Sequence, residues 1–142
     1  MRIISGYLKG KKIDLPKDNL TRPLKDMVKE SIFNIIEHSN NFNTRVEGAK
    51  ILDLFSGCGS FGLECVSRGA KKVVFNETYG NALEILEKNI KNLDCENKCQ
   101  VLRSDCFLLS KNFNEKVEII FMDPPFKENK INELIISINE MK

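Results

Sequence analysis

From residue 50 onward, short apolar runs alternate with helix-like stretches, and no other feature restricts the fold as much. Lys50-Ile51-Leu52-Asp53-Leu54-Phe55 reads as a strand running into a glycine-rich turn, and Phe61 to Arg68 as a helix closed by Gly69. Lys72 to Glu77 reads as a second strand. It precedes an amphipathic helix over Asn81 to Leu93, with Leu83, Leu86, Ile90 and Leu93 on one side. Gln100-Val101-Leu102 and Val117 to Met122 supply a third and a fourth strand, and Ile131 to Met141 a last helix. Strands and helices alternating at this spacing build βαβ units, hence an α/β fold with a doubly wound, mostly parallel sheet. The fourth strand is then expected near an open edge of the sheet, which complete proteins usually cover.

The first 24 residues follow another pattern. Arg2-Ile3-Ile4-Ser5 and Lys12-Ile13-Asp14-Leu15 are separated by Gly6 and Gly10 and followed by Pro16, as in a small β-hairpin and a turn. Thr21-Arg22-Pro23 reads as an extended lead-in. A helix is expected from Lys25 to Glu37, with Met27, Val28, Ser31, Ile32, Ile35 and Ile36 as its apolar stripe, widened by Phe33. The chain thus divides into a hairpin extension over 1–24 and one domain over 25–142, a length able to bury one core.

A hydrophobic fraction of 42% beside 30% charged residues excludes a disordered chain. No apolar run is long enough to span a bilayer and the N-terminus lacks an apolar signal core, so no membrane and a cytoplasmic location are expected. Cys58, Cys65, Cys95, Cys99 and Cys106 are odd in number and irregular in spacing, as reduced thiols are. Cys95 and Cys99 resemble half a zinc site, but the second pair is missing and His38 is the only histidine, so no metal is expected. Charge is uneven: residues 1–30 carry eight basic side chains (Arg2, Lys9, Lys11, Lys12, Lys17, Arg22, Lys25 and Lys29) against four acidic ones, whereas the remainder carries 14 against 16. A basic end suits a polyanion, with a solvated lysine-rich surface as the competing reading.

Gly57, Gly59 and Gly62 satisfy G-x-G-x-x-G between a strand and a helix, and Glu77 ends the next strand where an acid can bind a ribose diol. Alone, that pattern admits a nicotinamide cofactor. Asp53 argues otherwise, because a carboxylate at the strand mouth repels a pyrophosphate and suits a ligand with an ammonium group and no phosphate. S-adenosylmethionine is such a ligand. Phe121-Met122-Asp123-Pro124-Pro125-Phe126 then places a stiff corner at the carboxyl end of the fourth strand, in the crevice where open α/β sheets bind ligands. An exocyclic amino group is a poor nucleophile. Acceptors on Asp123 and the Pro124 carbonyl can orient its lone pair, Asp123 can take its proton, and Phe126 can stack on the base. Asp105 after the third strand can accept from an adenine amino group, with the Cys106 N–H serving a ring nitrogen; a plain helix N-cap is the competing reading.

These motifs resemble the class I S-adenosylmethionine-dependent methyltransferase superfamily (Rossmann-like). More narrowly, the chain resembles the bacterial 16S ribosomal RNA guanine-N2 methyltransferase family. Met1 to Gly6, Thr21-Arg22-Pro23, Val28 to Asn34, Asp53 to Gly62, Leu63-Glu64, Ser67 to Ala70 and Asp123 to Phe126 carry the likeness. The resemblance implies cofactor contacts at Asp53, Phe55, Gly57, Gly59, Glu77, Asp105 and Cys106, with S-adenosylhomocysteine as product. It implies catalysis at Asp123, Pro124 and Phe126, and contact of Arg2, Lys9, Lys11, Lys12 and Arg22 with 16S ribosomal RNA or the assembling small subunit. Cys58 departs from the family's small hydroxyl residue, and the family continues past the final helix, so this chain is expected to lack C-terminal strands. A monomer is expected, with self-association through the open edge as the variant. A DNA adenine or cytosine amino-methyltransferase and an inactive nucleic-acid-binding remnant are the alternative functions.

Overall fold

The computed structural model describes residues 1–18, 23–109, 113–125 and 130–140. Four parallel strands, β1 (Lys50–Leu54), β2 (Lys72–Asn76), β3 (Cys99–Leu102) and β4 (Ile119–Met122), form one sheet in the order β3-β2-β1-β4. The helices are α1 (Asp26–His38), α2 (Ser60–Ser67), α3 (Gly80–Asn92) and α4 (Ile131–Asn139). The doubly wound parallel α/β sheet expected from the alternating pattern is thereby observed. Strand order reverses direction between β1 and β4, which makes the carboxyl ends of these two strands the switch point of the sheet. Among the described residues β4 pairs only with β1, and Ile120 beside that open edge is 37% exposed. No described helix is long and apolar enough to cross a membrane.

Successive strand residues face opposite sides, so the sheet separates two cores. Ile51, Val73 and Phe75 pack toward α2, α3 and the N-terminal segment, together with Phe61, Leu63, Val66, Leu86 and Ile90. Leu52, Leu54 and Val74 pack on the other side with Leu109, Phe113 and Leu134. Every residue of α2 is buried. Its close approach to the sheet requires Gly62, where a Cβ would lie 2.2 Å from Phe75 Cε1 and 2.9 Å from Val73 Cγ1.

The N-terminal hairpin closes on an antiparallel bridge between Arg2 and Lys12, with Ile3 N–H bonding Lys11 O at 2.9 Å and Ile13 N–H bonding Met1 O at 2.9 Å. It lies against α2. Glu64, wholly buried, accepts from the N–H groups of Ile4 (2.9 Å) and Ser5 (3.0 Å), while Ser67 Oγ accepts from Leu8 N–H at 2.9 Å. Gly6 passes so near that a Cβ there would sit 1.9 Å from the Ser67 carbonyl oxygen.

The apolar stripe expected on α1 is turned. Phe33 and Lys29 are fully buried and Ile32 and Ile36 partly so, whereas Met27 is 79% and Ile35 54% exposed. The reason is local: Phe33 stacks on Phe61 with ring centroids 5.0 Å apart, and Phe61 stacks on Phe121. That contact turns Lys29 inward, where its Nζ meets Glu64 at 3.4 Å, Arg2 O at 3.2 Å and Ser60 Oγ at 3.4 Å. A lysine occupies the core because acceptors surround its ammonium group. Lys29 is therefore removed from the basic surface to which its charge had been assigned.

Candidate active site

The loop after β1 is wound tightly. Phe55, Gly57 and Gly59 all adopt positive φ, at 57°, 58° and 92°. A left-handed aromatic residue costs about 1–3 kcal/mol unless its surroundings hold it there. They do so through Ser56, whose hydroxyl donates to Asp53 O at 2.6 Å and accepts from Asn76 N–H at 3.0 Å, and whose N–H bonds Asn76 O at 3.1 Å. The Asn76 side-chain amide in turn donates to Ser104 O at 2.8 Å. The ends of β1, β2 and β3 are thus sewn together. Asn89 on α3 reaches the same loop, donating to Cys58 O at 3.0 Å, while its other bonds hold the hairpin at Asp14 N (2.9 Å) and Asp14 O (3.0 Å).

Strand register sets out the acidic groups. Leu54 lies opposite both Asn76 and Met122, so Glu77, Phe55 and Asp123 stand side by side one step beyond β2, β1 and β4. Glu77 is heavily engaged: Oε2 accepts from Gly57 N–H at 2.7 Å, and Oε1 from the N–H groups of Thr78 and Tyr79, both at 2.9 Å. Asp123 is exposed, and partial desolvation raises its pKa. Asp53 is 1% exposed and its Oδ2 accepts from Gly62 N–H at 3.1 Å. Burial, opposed by that hydrogen bond and helped by the nearby charges of Glu77 and Asp123, pushes its pKa up to about 8. Glu77 and Asp123 make this end of the sheet acidic, while Asp53 beneath them is held protonated at neutral pH.

Asp53 does not open toward a ligand at the strand mouth as its sequence position suggested. It shares the α2-facing side of β1 with Ile51 and binds an N–H in the first turn of α2. Asp105 is exposed and its Oδ1 accepts from Phe107 N–H at 3.0 Å, capping the 3-10 turn Cys106–Leu108, while Cys106 lies in the second core. Pro124 is half-buried beside Asp123. Arg2, Lys9, Lys11 and Lys12 are all exposed on the hairpin. Phe126 and Arg22 lie outside the described residues, and among those described no three His, Cys, Asp or Glu side chains cluster as metal ligands would.

Sequence reasoning passed over Ser56, Asn76 and Asn89. Asn76 did carry a signal, being a polar residue at the end of the apolar run Val73-Val74-Phe75. Asn89 carried none, because it reads as one more polar position on an amphipathic helix.

This sheet, with its glycine loop at the switch point and its acidic row, defines a class I methyltransferase fold. An Escherichia coli structure, yhhF, provisionally named a methyltransferase, superposes with a TM-score of 0.84 at 29% identity, covering 99% of this chain and 72% of that one. The chain belongs to the family described as Conserved hypothetical protein 95, which matches residues 1–142. Its relatives include YlbH of Bacillus subtilis, provisionally named an rRNA methyltransferase, 36% identical over 143 residues (99% of this chain and 74% of that protein). Ribosomal RNA small subunit methyltransferase D of Haemophilus influenzae is 33% identical over 138 residues, or 95% of this chain and 68% of that protein.

Proposed function

We propose that this chain transfers a methyl group from S-adenosylmethionine to the N2 amino group of a guanine in 16S ribosomal RNA, free or in the assembling small subunit. The observation that carries the reading is the exposed Asp123 carboxylate, set by strand register beside the glycine loop. Relatives named for ribosomal RNA methylation support the substrate class. The Asp123-Pro124-Pro125-Phe126 motif supports an amino-group acceptor, and guanine N2 follows from the family resemblance carried by the N-terminal pattern.

The residues present fit the cofactor. The Glu77 and Asp123 carboxylates favour a cation over a phosphate, and Glu77 has the acceptor oxygens that a ribose diol needs. Glu77 would hold the ribose, exchanging the Gly57 N–H for a hydroxyl, and Asp105 and Cys106 would frame the adenine. When bound, S-adenosylmethionine supplies an electrophilic methyl on sulfur. Asp123 and the Pro124 carbonyl hold the two amino hydrogens of the base and aim the nitrogen lone pair. Asp123 then accepts the proton the nitrogen sheds, a task aided by its raised pKa. Arg2, Lys9, Lys11 and Lys12 contact the RNA backbone through their exposed charges.

The test is methyl transfer from tritiated cofactor to hypomodified small subunits, followed by nucleoside analysis, with protein-free DNA as a parallel substrate. The expected product is N2-methylguanosine, and Asp123→Ala should abolish it while sparing S-adenosylhomocysteine affinity. Methylation of DNA instead, or equal loss of turnover and cofactor binding in the variant, overturns the assignment.

A further inference from the structure

The acidic row, the glycine loop and the basic hairpin are accounted for by the proposed activity; a pair of cysteines at the far edge of the sheet is not. Cys95 follows α3 and Cys99 opens β3, with the 3-10 turn Glu96–Lys98 between them. Their sulfurs are 3.9 Å apart, with the Cys99 thiol directed at Cys95. Cys95 is buried, its own sulfur also lying 3.6 Å from Ile90 O, whereas Cys99 is half-buried and helps line a surface depression of about 330 Å³ with Glu87, Ile90, Lys91, Glu96 and Val101. One sulfur is thus held at van der Waals contact behind another that small solutes can reach.

We propose that Cys95 and Cys99 are a redox pair, oxidised by a hydroperoxide to an intramolecular disulfide. The sulfurs need approach by only roughly 1.9 Å to reach the ~2.05 Å of a disulfide bond, and the intervening turn already folds the chain back on itself. Cys99, on the open side, first gives its proton to solvent; its thiolate then attacks hydrogen peroxide, an S–O bond forms as the O–O bond breaks, hydroxide leaves and takes up a proton as water, and a sulfenic acid remains. The Cys95 thiolate then attacks the Cys99 sulfur, an S–S bond forms, and hydroxide leaves as water with a proton from solvent. Two thiols and one peroxide give one disulfide and two waters, the peroxide being reduced. With both thiols intact, the hydrogen bond that Cys99 donates lowers the pKa of Cys95 and raises that of Cys99, so the first step, which needs the Cys99 thiolate, quickens as pH rises. Cys58 and Cys65 are buried elsewhere, in the glycine loop and within α2, and burial raises the pKa of both thiols.

The pair also lies close to the hairpin. The Tyr7 phenol feels both sulfurs, and Lys98, from the turn between them, sits over its ring at 5.2 Å.

The test treats the reduced full chain with stoichiometric hydrogen peroxide, blocks remaining thiols with N-ethylmaleimide after denaturation, and maps the peptides. The expected result is loss of two hydrogen masses, three of the five thiols alkylated, and one crosslink joining Cys95 to Cys99. Dithiothreitol added before the blocking step should restore five reactive thiols. Cys99→Ser should leave no crosslink, and a matching melting temperature will show that this variant is folded. Alkylation of both Cys95 and Cys99 after oxidation overturns the proposal. So does a crosslink through any other cysteine, or one between two chains.

Discussion

Glu64 and Lys29 are both wholly buried, yet they have unequal company, and that inequality predicts which is harder to replace. Remove Lys29, and Glu64 keeps Arg68 at 3.0 Å and the N–H groups of Ile4 and Ser5. Remove Glu64, and among the described residues the Lys29 ammonium keeps two neutral oxygens, Arg2 O and Ser60 Oγ. An uncompensated buried charge costs about 3–5 kcal/mol. The two orphaned amides add roughly 1 kcal/mol each. Glu64→Leu should therefore lose about 5–7 kcal/mol, against a typical total of 5–15 kcal/mol for a domain. Lys29→Met should lose less than half as much. The double variant removes the stranded ammonium and should recover roughly 3 kcal/mol relative to Glu64→Leu, a strongly non-additive cycle. Urea unfolding at matched m-values measures all three, with Glu64→Gln as the milder change if Glu64→Leu does not fold. The reasoning fails if Lys29→Met costs as much as Glu64→Leu, or if the double variant is less stable than Glu64→Leu alone.

Asp53, pushed up to about 8 by burial, binds a proton in the folded chain that the unfolded chain releases near 3.8. Its contribution is full below that lower value and is lost as pH rises through about 8, so Asp53→Asn should flatten the fall in stability across this window; urea midpoints at both ends give the answer, and an unaltered slope contradicts it. The alanines Gly6→Ala and Gly10→Ala share a left-handed backbone (φ 86° and 84°), which costs each about 1 kcal/mol. Only Gly6→Ala drives a Cβ into Ser67 O, so it alone should expose the Tyr7 and Leu8 amides to rapid hydrogen exchange; equal exchange in the two variants refutes the docking role.

The strands were legible because a sheet covered on both faces demands continuous apolar runs, and Ile51 to Leu54, Val73 to Phe75 and Ile119 to Met122 are such runs. Asp53 interrupts the first of them, and its face could not be read from adjacency to the glycine loop. Alternation decides it: Asp53 sits on the side of Ile51, under α2, where the nearest unsatisfied donor is the Gly62 N–H. Lys29 misled for a related reason. Hydropathy ranks a lysine outside the core, and only the distant Glu64 makes its burial affordable.

Four of the short pieces by which the chain resembles its family, Met1 to Gly6, Val28 to Asn34, Leu63-Glu64 and Ser67 to Ala70, look unconnected in sequence. In space they are one packing unit centred on Glu64 and Ser67, which together receive the hairpin backbone while Lys29 closes the space beneath. Asn89 completes the connection from the opposite side, one side chain holding both Asp14 of the hairpin and Cys58 of the glycine loop. The surface bearing Arg2, Lys9, Lys11 and Lys12 is therefore held in register with the loop that adjoins Asp123. On the proposed function, in which one base of a folded RNA is brought to Asp123, that register matters as much as the carboxylate.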